Sequence, residues 1–175
     1  MKNIVLSNSF RVVVLFSFLI MSNANIGFAQ KCKYFKEGKD EFSGETFKET
    51  RDQLAMGIYF HLGKKGATNY ATMHFMVPAA TNYVVQTTDT LFLKLESGPV
   101  VKLTPVKSVS GGTQASAYGV ATGYSPDYGI TTEQLQLLTS SPIMKVRISF
   151  EKTVDFSPKK GEAKDIMNAA RCVLL

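Results

Sequence analysis

Apolar and polar residues alternate with a period of two along most of this chain, a pattern that predicts strands. The clearest pair covers residues 54–62 and 67–77, on either side of Gly63-Lys64-Lys65-Gly66. A four-residue turn with glycine at both ends reads as a β-hairpin. Pairing Leu62 with Ala67 sets Phe60 opposite Asn69, Ile58 opposite Ala71 and Met56 opposite Met73. One face then carries Met56, Ile58, Phe60, Leu62, Ala71, Met73 and Phe75. The other carries Tyr59, His61, Thr68, Tyr70, Thr72 and His74. A slip of one residue would mix the two sets.

A second hairpin is predicted between residues 90–95 and 100–106, around Ser97-Gly98-Pro99. An odd loop length puts Leu93 across from Leu103 and Leu95 across from Val101, whereas a two-residue loop would oppose Leu93 to Lys102. Pro105 has no N–H to donate to a ladder and marks a strand end or an edge. The charged segments 32–36 and 45–50 suit a sheet edge, where charge discourages pairing with other molecules. Residues 115–124 read as one strand with a small face of Ala117, Gly119 and Ala121. A turn-rich loop, 123–129, follows and carries Tyr124 and Tyr128.

Two segments change period. Thr131 is placed to cap a helix, with Gln134 reaching back and Ile130 stapling to Leu135, and Pro142 stops that helix. Residues 162–172 form a second helix, with an apolar stripe of Ala163, Ile166, Met167, Ala170 and Val173. Between the helices, Met144, Val146, Ile148 and Phe150 alternate with polar residues as a half-buried strand. Residues 154–156 either continue it or return from a turn near Glu151-Lys152. The expected fold is α+β: a mainly antiparallel sheet, sandwich or open barrel, with two short helices, the second at the C-terminus. The helices are too few for parallel crossovers.

The N-terminus follows another rule. Lys2 and Arg11 precede an apolar run over 12–21, and Gly27-Phe28-Ala29 offers small residues where a signal peptidase reads. The run is about ten residues, roughly half of what spans a bilayer. Residues 1–29 are therefore expected to be a signal peptide cleaved near Ala29-Gln30. Residues 30–175 are then a single mainly-β domain, exported to the periplasm or beyond, with no integral membrane segment left after cleavage. Two of the twenty basic residues and none of the fourteen acidic ones lie in the leader, so the charge falls from +6 to +4. That surplus is spread along the chain without interleaved aromatics, which argues against a nucleic-acid surface.

Cys32 and Cys172 stand near the two ends of the exported part. An even count in an exported protein favours a disulfide between them, with two free thiols as the alternative. Lys31 occupies a position where lipid attachment at Cys32 would need a small residue.

Candidate chemistry is sparse. In the hairpin register above, His61 and His74 share a face but stand about 20 Å apart along the strands, too far to share a metal ion. No other histidine exists, so no metal site and no cofactor are expected. No Gly-x-Ser-x-Gly elbow is present. What remains is an aromatic and polar face of Tyr59, His61, Tyr70 and His74, joined by Tyr124 and Tyr128 from the following loop. Tyrosine supplies contact area at low entropic cost, which suits a wet binding surface.

Several short stretches resemble a loose group of small exported bacterial proteins without assigned function. They are Asp89-Thr90-Leu91-Phe92-Leu93-Lys94-Leu95, Tyr128-Gly129-Ile130-Thr131-Thr132-Glu133-Gln134-Leu135, Pro142-Ile143-Met144-Lys145-Val146-Arg147-Ile148 and the closing segment 163–174 with its terminal cysteine. Cys32 followed by Asp40-Glu41-Phe42-Ser43-Gly44 is similar too. The resemblance implies one domain with paired cysteines and implies no reaction. The expected role is non-catalytic: binding an envelope component, a partner protein or a small ligand. The alternatives are an envelope hydrolase with His61 or His74 as its acid or base, and a structural accessory subunit.

Overall fold

The computed structural model describes residues 32–175, with Tyr118 and Glu151 excepted. The signal-peptide reading of residues 1–29 lies outside these described residues.

Fourteen strands and two helices are present among the described residues, and every strand pairing is antiparallel. The larger sheet curls into a half-barrel. Its central hairpin is β4 (Ile58–Lys65) and β5 (Thr68–Val77). On one side of β4 lie β2 (Thr46–Glu49) and β3 (Asp52–Ala55), and β1 (Lys36–Lys39) forms the edge beyond β2. On the far side of β5 lie β11 (Gly119–Tyr124) and β12 (Asp127–Gly129), with β10 (Gly112–Ser116) beyond β11. A four-stranded sheet runs β14 (Thr153–Phe156), β13 (Ile143–Ser149), β7 (Thr90–Leu95), β8 (Val100–Leu103). A short ladder joins β6 (Val84–Val85) to β9 (Val109–Ser110).

The helices cover the apolar ground between these sheets. Helix α1 (Thr132–Ser140) begins with the expected reciprocal cap: Gln134 N–H donates to Thr131 Oγ1 at 3.2 Å, and Thr131 N–H donates to Gln134 Oε1 at 2.9 Å. Helix α2 (Lys160–Leu174) packs on β3, β4 and β13. Its buried residues are Ala163, Ile166, Ala169, Ala170, Cys172 and Val173. Cys172 is joined to Cys32 by a disulfide, with Cα atoms 5.6 Å apart. The Tyr34 hydroxyl donates to the Cys172 carbonyl at 3.0 Å, which adds a second tie between the chain ends.

The β4–β5 register departs from expectation by four residues. Lys65 pairs with Thr68, Leu62 with Ala71 and Phe60 with Met73. The turn is Gly66-Ala67, with Gly66 at φ +56°, and Gly63 stays inside the strand. Because the slip is even, the faces are unchanged: Phe60, Leu62, Ala71, Met73 and Phe75 are all buried. Met56 is the exception, exposed in the turn before β4. The second hairpin slips by two, with Leu93 opposite Val101 and a three-residue loop, again leaving the leucines inside.

One more expectation is corrected, and one open choice is decided. Residues 115–124 are a hairpin of β10 and β11, with Ser116 opposite Gly119, rather than one strand. Alternation of small residues hid the turn. Residues 153–156 are a separate strand returning against β13, with Val154 opposite Ile148. A bulge between Ile143 and Lys145 turns Met144 outward.

Candidate functional site

The polar face of the β4–β5 hairpin gathers its side chains through two interrupted neighbours. Beside β4, the chain breaks pairing at Thr50-Arg51 between β2 and β3. Glu49 opposite Gly63 and Asp52 opposite Phe60 keep a single register across that break. Arg51 therefore stands level with His61. Beside β5, the break falls at Ser125-Pro126, where proline has no N–H for the ladder. The register again carries through, so Ser125 stands level with His74 and Asp127 with Thr72.

Three rows of side chains result, about 7 Å apart along the strands. The first holds Tyr59, His74 and Ser125, with His74 Nδ1 2.6 Å from Ser125 Oγ. In the second are Arg51, His61, Thr72 and Asp127, where the Thr72 hydroxyl donates to Asp127 Oδ1 at 2.7 Å. The third contains Glu49, Gly63 and Tyr70. Gly63 is required here: a Cβ would stand 2.3 Å from the Tyr70 ring. The bare glycine lets that ring lie across the strand, and its hydroxyl donates to Glu49 Oε2 at 3.0 Å.

Diagonal contacts tie the rows together. His61 Nδ1 is 2.5 Å from Glu49 Oε1, and the carboxylate accepts. The rings of His61 and His74 meet at 4.4 Å between centroids, inclined by 56°. The separation of about 20 Å expected from the sequence is thus replaced by direct contact, because the four-residue slip moves His74 along β5 toward His61. His61 is only 4% exposed, covered by the edge of the Phe35 ring at 5.6 Å. Its Nε2 has no hydrogen-bond partner among the described residues.

Arg51 closes the upper end of the face. Its guanidinium lies 4.6 Å from the Tyr59 ring and 5.1 Å from the Phe35 ring, held between two π faces. Arg51 is exposed and has no carboxylate partner among the described residues. Burial first, then the charges of His61 and Arg51, hold the His74 imidazole below the ordinary histidine value, while Glu49 and Asp127 oppose this. Burial, then the Glu49 carboxylate, pushes the Tyr70 phenol well above its usual range. At the lower end a hollow of about 530 Å³ opens, lined by Glu45, Phe47, Lys65, Thr68 and Tyr70.

The remaining sequence candidates go elsewhere. Tyr124 and Tyr128 are buried, because β11 and β12 are strands in which they turn inward with Thr122. Tyr124 stacks on Phe75 at 5.3 Å and donates its hydroxyl to the Tyr83 carbonyl at 3.1 Å. Burial raises the Tyr128 phenol. Glu49, Arg51 and Ser125, absent from the sequence reading, are what the register adds to Tyr59, His61, Tyr70 and His74.

No group of three or more His, Cys, Asp or Glu side chains among the described residues is arranged to hold a metal ion. No helix there is long and apolar enough to cross a membrane. No protein-family model, curated protein or solved structure matches the chain.

Proposed function

We propose that this chain is an exported, non-catalytic binding domain. Its Arg51, Tyr59, Tyr70 and His74 face receives a polar, acid-bearing ligand of the cell envelope. One observation carries the reading: Arg51 is stacked between Phe35 and Tyr59, beside His74, and no carboxylate among the described residues neutralises it. A guanidinium fixed in this way offers its fork to an incoming carboxylate or phosphate without first giving up an internal partner. Tyr70 and Phe47 beside the hollow supply flat contact area for the body of the ligand. Export is supported by the leader-like residues 1–29 and by a disulfide, which persists in oxidising compartments.

Co-sedimentation with bacterial envelope fractions tests this reading. The protein should pellet with one fraction, and the Arg51→Ala/Tyr59→Ala variant should stay in the supernatant with an unchanged melting temperature. Equal pelleting of both proteins would contradict it.

A hydrolase is the second reading, favoured by the 2.6 Å approach of Ser125 Oγ to His74 Nδ1. Against it, the nearest carboxylate serves His61 rather than His74. A serine-directed fluorophosphonate separates the two: covalent labelling of Ser125 favours the hydrolase, and the binding reading expects none.

A further inference from the structure

The outward face of the four-stranded sheet is cationic in a way its own stability does not require. Lys94, Lys102, Lys145 and Arg147 all project from it, and all four are exposed. Lys94 stands directly opposite Lys145, a like-charge pairing that destabilises a ladder. Phe92 lies at the centre, half-buried between Lys102 on β8 and Arg147 on β13, with the Lys102 ammonium 5.7 Å from its ring. Asp155 is the one carboxylate on this face among the described residues, 2.8 Å from Lys145 Nζ and 2.7 Å from Arg147 Nε. Lys94 and Lys102 have no acidic partner among the described residues. A shallow trough of about 320 Å³ crosses the strands here, lined by Phe92, Lys94, Val100, Lys145 and Arg147.

We propose that this face binds an acidic polysaccharide, independently of the Arg51 face. Lys145 and Lys94 stand about 5 Å apart on neighbouring strands, close to the rise of one sugar unit, and Lys102 lies diagonally beyond Lys94 on β8, so a charged chain running obliquely meets one cation on each of these three strands. Phe92 on the trough floor gives a sugar ring a flat apolar surface to rest on. The bound anion relieves the Lys94–Lys145 repulsion, which supplies a reason for that pairing. A bilayer fits less well. The central aromatic ring is half-buried on the trough floor instead of standing proud, and docking on lipid draws on apolar groups that enter the headgroup layer.

The test uses the purified, disulfide-bonded protein with polygalacturonate and dextran sulfate, neutral dextran as control, and phosphatidylglycerol vesicles as the competing surface. Both charged polysaccharides should bind, more weakly as salt rises, and neutral dextran should not. The Lys94→Glu/Lys145→Glu variant should lose about tenfold or more in affinity. Lys160→Glu/Lys164→Glu, an equal charge change on the exposed side of α2, should lose less than about twofold. If the reversed pair lowers the melting temperature, Lys94→Gln/Lys145→Gln takes its place. Equal losses in test and control variants, no binding to either charged polysaccharide, or tighter binding to the vesicles would each overturn the proposal.

Discussion

His61 and His74 lie on adjacent strands, two residues out of direct register, and their rings touch at 4.4 Å. This contact joins two hydrogen-bonded pairs, Glu49 with His61 and His74 with Ser125, into one polar chain that runs over β2, β4 and β5 to the break between β11 and β12. Its members differ in exposure. The Glu49–His61 end is shielded under Phe35, while His74 remains half-exposed beside the exposed Ser125.

The electrostatics of His74 give the first prediction. Its folded pKa is depressed, so the native state binds this proton more weakly than the unfolded chain does. Stability should therefore fall as pH drops through the unfolded value of about 6.5 and level off below the folded one. Histidine-resolved NMR titration should place His74 below the ordinary value, and Arg51→Ala should move it upward by removing a repelling charge. An unshifted or raised midpoint would contradict this.

Asp52 offers a test with the opposite slope. Its carboxyl faces α2, one oxygen lacks a hydrogen-bond partner among the described residues, and burial followed by the charge of Asp165 pushes its pKa up to about 6. A raised carboxyl pKa means stability is lost as pH rises from about 4 through 6. Asp52→Asn should stabilise the protein at pH 7 by about 1 kcal/mol, after discounting for its partial exposure. Near pH 3.5 it should change little. Urea midpoints at the two pH values measure the difference.

Gly63 and Tyr70 should behave as one unit. Gly63→Ala drives a methyl group into the Tyr70 ring and should cost about 1–3 kcal/mol as overpacking. In a Tyr70→Ala background the same change should be nearly free, because the obstructing ring is gone. A double-mutant cycle by urea unfolding reads the coupling directly. Additive losses would mean that the ring does not occupy this position.

The disulfide spans 140 residues of sequence, and closing a loop of that size removes about 4–5 kcal/mol of chain entropy from the unfolded state. Cys32→Ser/Cys172→Ser should lower the urea midpoint accordingly. Thiol titration of the denatured, unreduced protein should find no free cysteine.

What could be read from the sequence was local or periodic. The α1 cap lies within four residues, and both of its hydrogen bonds form. Strand faces depend only on parity, so Phe60, Leu62, Ala71 and Met73 were assignable without a register. Register itself was not, because a slip of four keeps every apolar residue inside. Gly63 was the ambiguous position: it resembles a turn residue, and only the Tyr70 ring across the strand explains a glycine there. With the register displaced, His61 and His74 were separated, and nothing linked Glu49, Arg51 or Ser125 to either. Tyr124 and Tyr128 looked like loop residues because Pro126 and the flanking glycines disguise two strands that continue past a break.

The binding role of the Arg51 face is measured most directly by mapping amide and side-chain NMR shifts while titrating the envelope fraction that retains the protein. Perturbations centred on Arg51, Tyr59, Tyr70, His74 and Ser125, and lost in Arg51→Ala/Tyr59→Ala, are the predicted result. Saturating shifts elsewhere on the domain, with these residues silent, would contradict the account.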